Sequence, residues 1–151
     1  MAFKSFLDGE FGRSWWHLDF LWNLTGFEAY QQEDSYKFHG AKTRTTNVRI
    51  NGKIAENPNH PFYRDFEYLK SVTPEGITPK VTIPSPSLII NRDHRSDLYA
   101  DYYDSWTDFL DDLAKAYHDT IQHFYDLGAR YVQLDDTTWG YLIQQFENEK
   151  K

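Results

Sequence analysis

The sequence predicts an α/β fold, and three features carry that prediction. The first is a helix-to-strand passage near the end of the chain. Trp106, Phe109, Leu110, Leu113, Ala114, Tyr117, Ile121, Phe124 and Tyr125 recur at three and four residues, and Gly128 follows at a position suited to a left-handed helix stop. Tyr131-Val132-Gln133-Leu134 is then short, apolar and partly β-branched, as a buried strand requires, and Asp135 and Asp136 close it. The second feature is an early strand, Phe3 to Leu7, which runs into Asp8-Gly9-Glu10-Phe11-Gly12-Arg13. The third is the compact strand Lys80-Val81-Thr82-Ile83-Pro84, preceded by a helical stretch from Pro61 to about Val72. In α/β folds the carboxyl ends of parallel strands line the ligand crevice, so the acids at two strand ends are the candidate functional residues. The plainer reading of Asp135 and Asp136 is that they cap the helix that follows and favour its dipole.

Composition narrows the classes. A chain of 151 residues with 40% hydrophobic content fits one domain able to bury a core. A net charge of −7 argues against a nucleic-acid or anionic-membrane surface. The absence of cysteine excludes a disulfide framework and a thiolate metal site within this sequence. Nothing approaches a membrane span in length, and the opening residues lack a signal-peptide core, so a cytoplasmic protein is expected. Aromatic residues reach 18%, with five Trp and eleven Tyr, a share that often marks a partner surface or a ring-lined pocket.

The remaining elements follow in order. Ser14 is placed to cap a helix in which Trp15, Leu18, Leu21 and Trp22 share one face, with Gly26 ending it. Glu28 to Asp34 is polar and reads as loop. From Tyr36 a strand pattern begins; Thr43 to Ile50 is rich in β-branched residues, Asn51-Gly52 supplies a strong hairpin signal, and Lys53-Ile54-Ala55 returns. One domain over 1–151 is therefore expected, with an antiparallel hairpin inserted at about 36–56. Leu88-Ile89-Ile90 suits a strand or a short helix equally. Asp93, His94, Arg95 and Asp97 read as a solvated charged loop. Ser105 with Asp108 makes a capping-box-like start to the long helix, and Trp139 to Phe146 forms a last helix.

Most chemistries find no support. His118 and His123 are poorly spaced for a shared helix face, and no serine elbow or phosphate-binding loop can be written. What stands is the acidic strand ends, able to perform acid–base work or to hold a ligand's cationic group; spacing does not choose between these.

These segments carry a resemblance. Asp-Gly-Glu-Phe-Gly-Arg, the Trp-rich run Ser14 to Leu21, and Leu127-Gly128-Ala129-Arg130-Tyr131-Val132-Gln133-Leu134-Asp135-Asp136 resemble the cobalamin-independent methionine synthase family, and most closely its shorter single-barrel members. The resemblance implies a partial (β/α)8 TIM barrel and an activity, in the complete family, of 5-methyltetrahydropteroyltriglutamate–homocysteine S-methyltransferase. It further implies that Glu10 and Asp135 hold the amino group of homocysteine, with Asp136 and Arg44 as further substrate-binding positions. Asp136 stands where the larger enzymes have Glu, and Thr137 where they have Pro. The family's folate contacts find no match near Tyr141 or Arg92, which leaves the methyl donor open. Its zinc ligands, a His-x-Cys pair, a Glu and a further Cys, lie beyond the strand equivalent to Tyr131–Asp135. This sequence has no cysteine and ends sixteen residues after Asp135, so a fragment without zinc and without activity of its own is expected. Uncovered barrel edges imply self-association or partial disorder of the chain. Two other classes fit the composition: a non-catalytic interaction module or relic using an exposed aromatic face from Trp15 to Trp22, and a glycoside-hydrolase-like carbohydrate-binding fragment.

Overall fold

The computed structural model describes residues 4–31, 37–38, 41–42, 45–92 and 99–149. They form a mixed α/β structure of small sheets, and no closed barrel is present among them. The parallel part consists of β1 (Ser5–Phe6), β6 (Thr78–Pro79), β7 (Val81–Pro84) and β8 (Val132–Asp135). Lys80 alone separates β6 from β7, so one run of backbone has β1 on one edge and β8 on the other. The N–H groups of Thr78 and Lys80 donate to the carbonyls of Lys4 and Phe6 at 3.0 and 2.8 Å. Those of Val81 and Ser85 donate the other way, to Tyr131 and Asp135, at 3.1 and 2.8 Å. This alternation brings the early strand and the late strand to either side of one central strand.

The antiparallel part lies between them in sequence. β2 (Thr25–Gln31) pairs with β5 (Thr46–Ala55), and the short β3 (Lys37–Phe38) pairs with β4 (Ala41–Lys42). Three sequence expectations fail here. The described part of the stretch read as a loop, 28–31, belongs to β2, held by the cross-strand pair of Arg49 and Glu28 at 2.6 Å and by burial of Phe27. Asn51-Gly52 makes no hairpin turn but lies inside the ten-residue β5. The register of the pair shifts between Thr25 and Phe27, opposite this Asn-Gly, so the permissive dipeptide serves a bulge. Gly26 does not end a helix either. It sits in β2 at φ 85°, where an added Cβ would lie 2.4 Å from the carbonyl oxygen of Lys53.

The helix expected from Ser14 shrinks to α1 (Leu18–Leu21). Asp19 explains the loss: its carboxylate accepts from the N–H of Ser14 at 2.7 Å and of Trp15 at 3.2 Å, folding the preceding residues into turns. The aromatic face proposed for Trp15 to Trp22 is not exposed. His17, Leu18, Phe20 and Leu21 are buried, and Trp15 and Trp22 pack on the core.

Three helices complete the core. α2 (Pro61–Val72) buries Phe62, Tyr63, Phe66 and Leu69 at helical spacing. α4 (Trp106–Asp126) buries Phe109, Leu113, Ala116, Tyr117, Thr120 and Phe124. Ser105 caps it, accepting from Asp108 N–H at 3.1 Å. Gly128 at φ 102° closes it: Gly128 N–H donates to Tyr125 and Ala129 N–H to Phe124, a Schellman arrangement. The ambiguous Leu88-Ile89-Ile90 belongs to the short α3 (Ser87–Arg92). α5 (Thr138–Glu149) follows β8, and none of the described helices is long and apolar enough to cross a membrane. Residues 93–98, with the charged cluster read there, lie outside the described residues.

Candidate functional site

Glu10 stands just past β1, on a backbone that few side chains adopt. Gly9 and Glu10 both have positive φ, 66° and 61°, and the N–H of Glu10 donates to Asp8 Oδ1 at 3.0 Å. A left-handed non-glycine residue costs on the order of 1 kcal/mol or more, and such strain gathers where a side chain must be aimed. Here it is aimed at β7: Thr82 Oγ1 donates to Glu10 Oε1 at 2.7 Å. Arg13 completes the contact. Its Nη1 donates to the same Oε1 at 3.2 Å and to the carbonyl of Trp16 at 3.1 Å, while its Nη2 donates to the carbonyl of Thr82 at 2.8 Å. The guanidinium carbon lies 4.3 Å from the centre of the Phe62 ring, and the Arg13 side chain is only 5% exposed.

Thr82 links this loop to the late strand. Its register partner across the parallel pair is Gln133, and the Gln133 side-chain amide donates to Asp135 Oδ1. Register partners leave a sheet on the same face, as do residues two apart along one strand. Thr82, Gln133 and Asp135 therefore share a face, and Glu10 lies on it through Thr82. The two acids come from residues far apart in sequence and stand toward the carboxyl ends of β1 and β8.

Asp136 is occupied differently. It accepts from Thr138 N–H at 2.9 Å, from Ser87 Oγ at 2.9 Å and from Ser85 Oγ at 3.3 Å. Burial disfavours its charge, but these hydrogen bonds outweigh that and hold its pKa below the ordinary carboxylate value. Asp136 satisfies the first N–H of α5, as the capping reading expects, and it ties that helix to the start of α3. Arg44, the remaining expected site residue, lies outside the described residues.

Three participants escaped the sequence reading: Arg13, Thr82 and Gln133. Their signals were present but weak. Thr82 is a polar residue inside an apolar strand, Gln133 precedes Asp135 by two, and Arg13 ends the Asp-Gly-Glu-Phe-Gly-Arg run. Among the described residues, no group of three or more His, Cys, Asp or Glu side chains is placed to hold a metal ion. A groove of about 760 Å³ runs along β1 and α2, meeting the loop at Asp8 and Gly12 but not Glu10, Thr82 or Asp135.

The fold is a mixed α/β structure in which Glu10 follows β1 and Asp135 ends β8. No protein-family model matches the chain. It is similar to two proteins of Bacillus subtilis (strain 168): the uncharacterized protein YxjG, 41% identical over 139 residues, and the uncharacterized protein YxjH, 38% identical over 137 residues. Each alignment covers 91% of this chain and 35% of the relative. Among solved structures it is similar to the "Putative Vitamin-B12 Independent Methionine Synthase" of Listeria monocytogenes. The two share 43% identity and a TM-score of 0.70, over 92% of this chain and 37% of that one. The chain thus spans about a third of the length of the relatives it matches.

Proposed function

We propose that this chain is part of a methyltransferase of the cobalamin-independent methionine synthase type, and that it supplies the carboxylates that hold the amino group of homocysteine. In this reading the described strands are a segment of a (β/α)8 barrel, and Glu10 and Asp135 grip one ammonium group at its carboxyl-end rim. One observation carries the proposal: Thr82, which donates to Glu10, is the register partner of Gln133, which donates to Asp135. The sequence identity to the Listeria protein supports it. Two carboxylates from separate strands give charge-assisted hydrogen bonds that fix an amino acid's orientation before its sulfur reacts. In the complete family the thiol is activated on zinc and the methyl group comes from a folate-type donor. The described residues make no zinc site, so no step through the metal is assigned to this chain, which we expect to transfer no methyl group alone. Stoichiometric zinc found by metal analysis of the purified chain would contradict that expectation.

The test is ligand binding. Calorimetric or NMR titration with L-homocysteine should show binding that Glu10→Gln or Asp135→Asn each weakens by roughly 10- to 100-fold, the range for a hydrogen bond to a charged group. Its desamino analogue, 4-sulfanylbutyrate, should bind more weakly than homocysteine by a similar factor. Equal binding of the two ligands, or indifference to both substitutions, would overturn the reading.

A further inference from the structure

Glu10 presents two oxygens, and among the described residues only one of them receives a donor. Oε1 receives Thr82 Oγ1 at 2.7 Å and Arg13 Nη1 at 3.2 Å, whereas no donor among the described residues reaches Oε2. Arg13 is itself immobilised. Its two terminal nitrogens are spread over Glu10, the carbonyl of Trp16 and the carbonyl of Thr82, its face lies on Phe62, and its side chain is almost wholly buried. Thr82 is 5% exposed and sits in β7, which pairs with β8 and continues directly from β6, the partner of β1. A carboxylate gripped at one oxygen by two fixed donors cannot swing, so its second oxygen is held in one place.

We propose that Arg13 and Thr82 are positioning residues: they clamp Oε1 of Glu10 so that Oε2 is the atom offered to the ligand, and Arg13 makes the site selective for a single positive charge. This rests on the reading of Glu10 and Asp135 as the ammonium-binding pair. Two carboxylates alone would carry two negative charges and suit a dication. With Arg13 paired to Glu10 the three side chains carry one net negative charge, which matches one ammonium group. A lysine at position 13 would keep the charge but lose the planar fork that reaches three acceptors at once.

The test compares selectivity, which a purely structural role would leave unchanged. The quantity read is the affinity for L-homocysteine divided by the affinity for 4-sulfanylbutyrate, measured on the full chain. Thr82→Val keeps the shape of the side chain and deletes the donor. It should lower the ratio about fivefold, the size of one hydrogen bond, with thermal unfolding preserved, and Thr82→Ser should restore it. Arg13→Lys should lower the ratio while leaving the net charge unaltered. An unchanged ratio in both Thr82→Val and Arg13→Lys would overturn the clamp, and so would equal weakening of both ligands. If the wild-type chain shows no preference for homocysteine, the parent reading fails and this one with it; if the preference is present but insensitive to positions 13 and 82, only the clamp fails.

Discussion

At the scale of single residues, His60 shows how one side chain joins two elements and ties stability to pH. It precedes Pro61, which opens α2, and the residue is 2% exposed. Nδ1 accepts from Phe62 N–H at 3.2 Å, so the other ring nitrogen carries the proton and donates to the carbonyl of Phe20 at 3.0 Å. Burial, partly offset by that bond to Phe20, depresses its pKa to about 4. The unfolded chain therefore takes up a proton near the ordinary histidine value of 6.5, which the folded chain resists until about pH 4. Stability from this group is complete above pH 6.5 and is lost as pH falls toward 4, by about 3 kcal/mol in total. Denaturant unfolding at several pH values should show this slope in the wild type. His60→Gln should flatten it by about one proton, and an unaltered slope would show that another group is responsible. Nothing in Asn57-Pro58-Asn59-His60-Pro61 identified the histidine as the cap, because a buried imidazole cap depends on Phe20, forty residues away.

Between elements, pairing with a distant strand decides what a local signal means. Asn51-Gly52 favours a hairpin turn on its own, yet β2 arrives as a partner and the dipeptide is drawn into β5. Gly26 is the opposing half of that contact, with positive φ and no room for a Cβ beside Lys53. Gly26→Ala should therefore cost roughly 2–4 kcal/mol, from backbone strain and the clash together. Gly76 also has positive φ, but an added Cβ there meets nothing within 4 Å. Gly76→Ala should cost only about 1 kcal/mol, the backbone part alone. Thermal or denaturant melts of the two variants separate the terms, and equal losses would refute the close-approach argument. Where a signal depends on a helix alone, the sequence was legible: Pro61 at the start of α2, Ser105 before α4 and Gly128 after it all stand where their local chemistry puts them. The candidate site was legible to the extent that acids end apolar strands. Its clamp was not, since Arg13 and Thr82 meet through tertiary packing 69 residues apart in sequence.

For the whole molecule, the unfinished surfaces are on the outer strands and on α5. Among the described residues β1 and β8 each pair on one edge only. Phe6, Leu7, Tyr68 and Val72 remain exposed along the groove beside β1 and α2. Trp139, Leu142, Ile143 and Phe146, at helical spacing, remain exposed on α5 beyond β8. Open parallel edges with apolar flanks tend to recruit another strand and helix. The self-association expected from the sequence would have a second copy supply both: its β8 would extend the sheet beside β1, and its α5 would lie in the groove, repeating the strand-then-helix order within the chain. Sedimentation of the 151-residue chain should show concentration-dependent association, roughly in the micromolar range for a modest apolar interface. Ile143→Glu on α5 and Tyr68→Glu on the groove should each shift it toward monomer, because a charge buried without a partner is costly on either face. The double variant should be little worse than either single one, since each removes the same contact. A sharp monomer at every concentration, or association blind to both positions, would leave these apolar faces without the partner assigned to them.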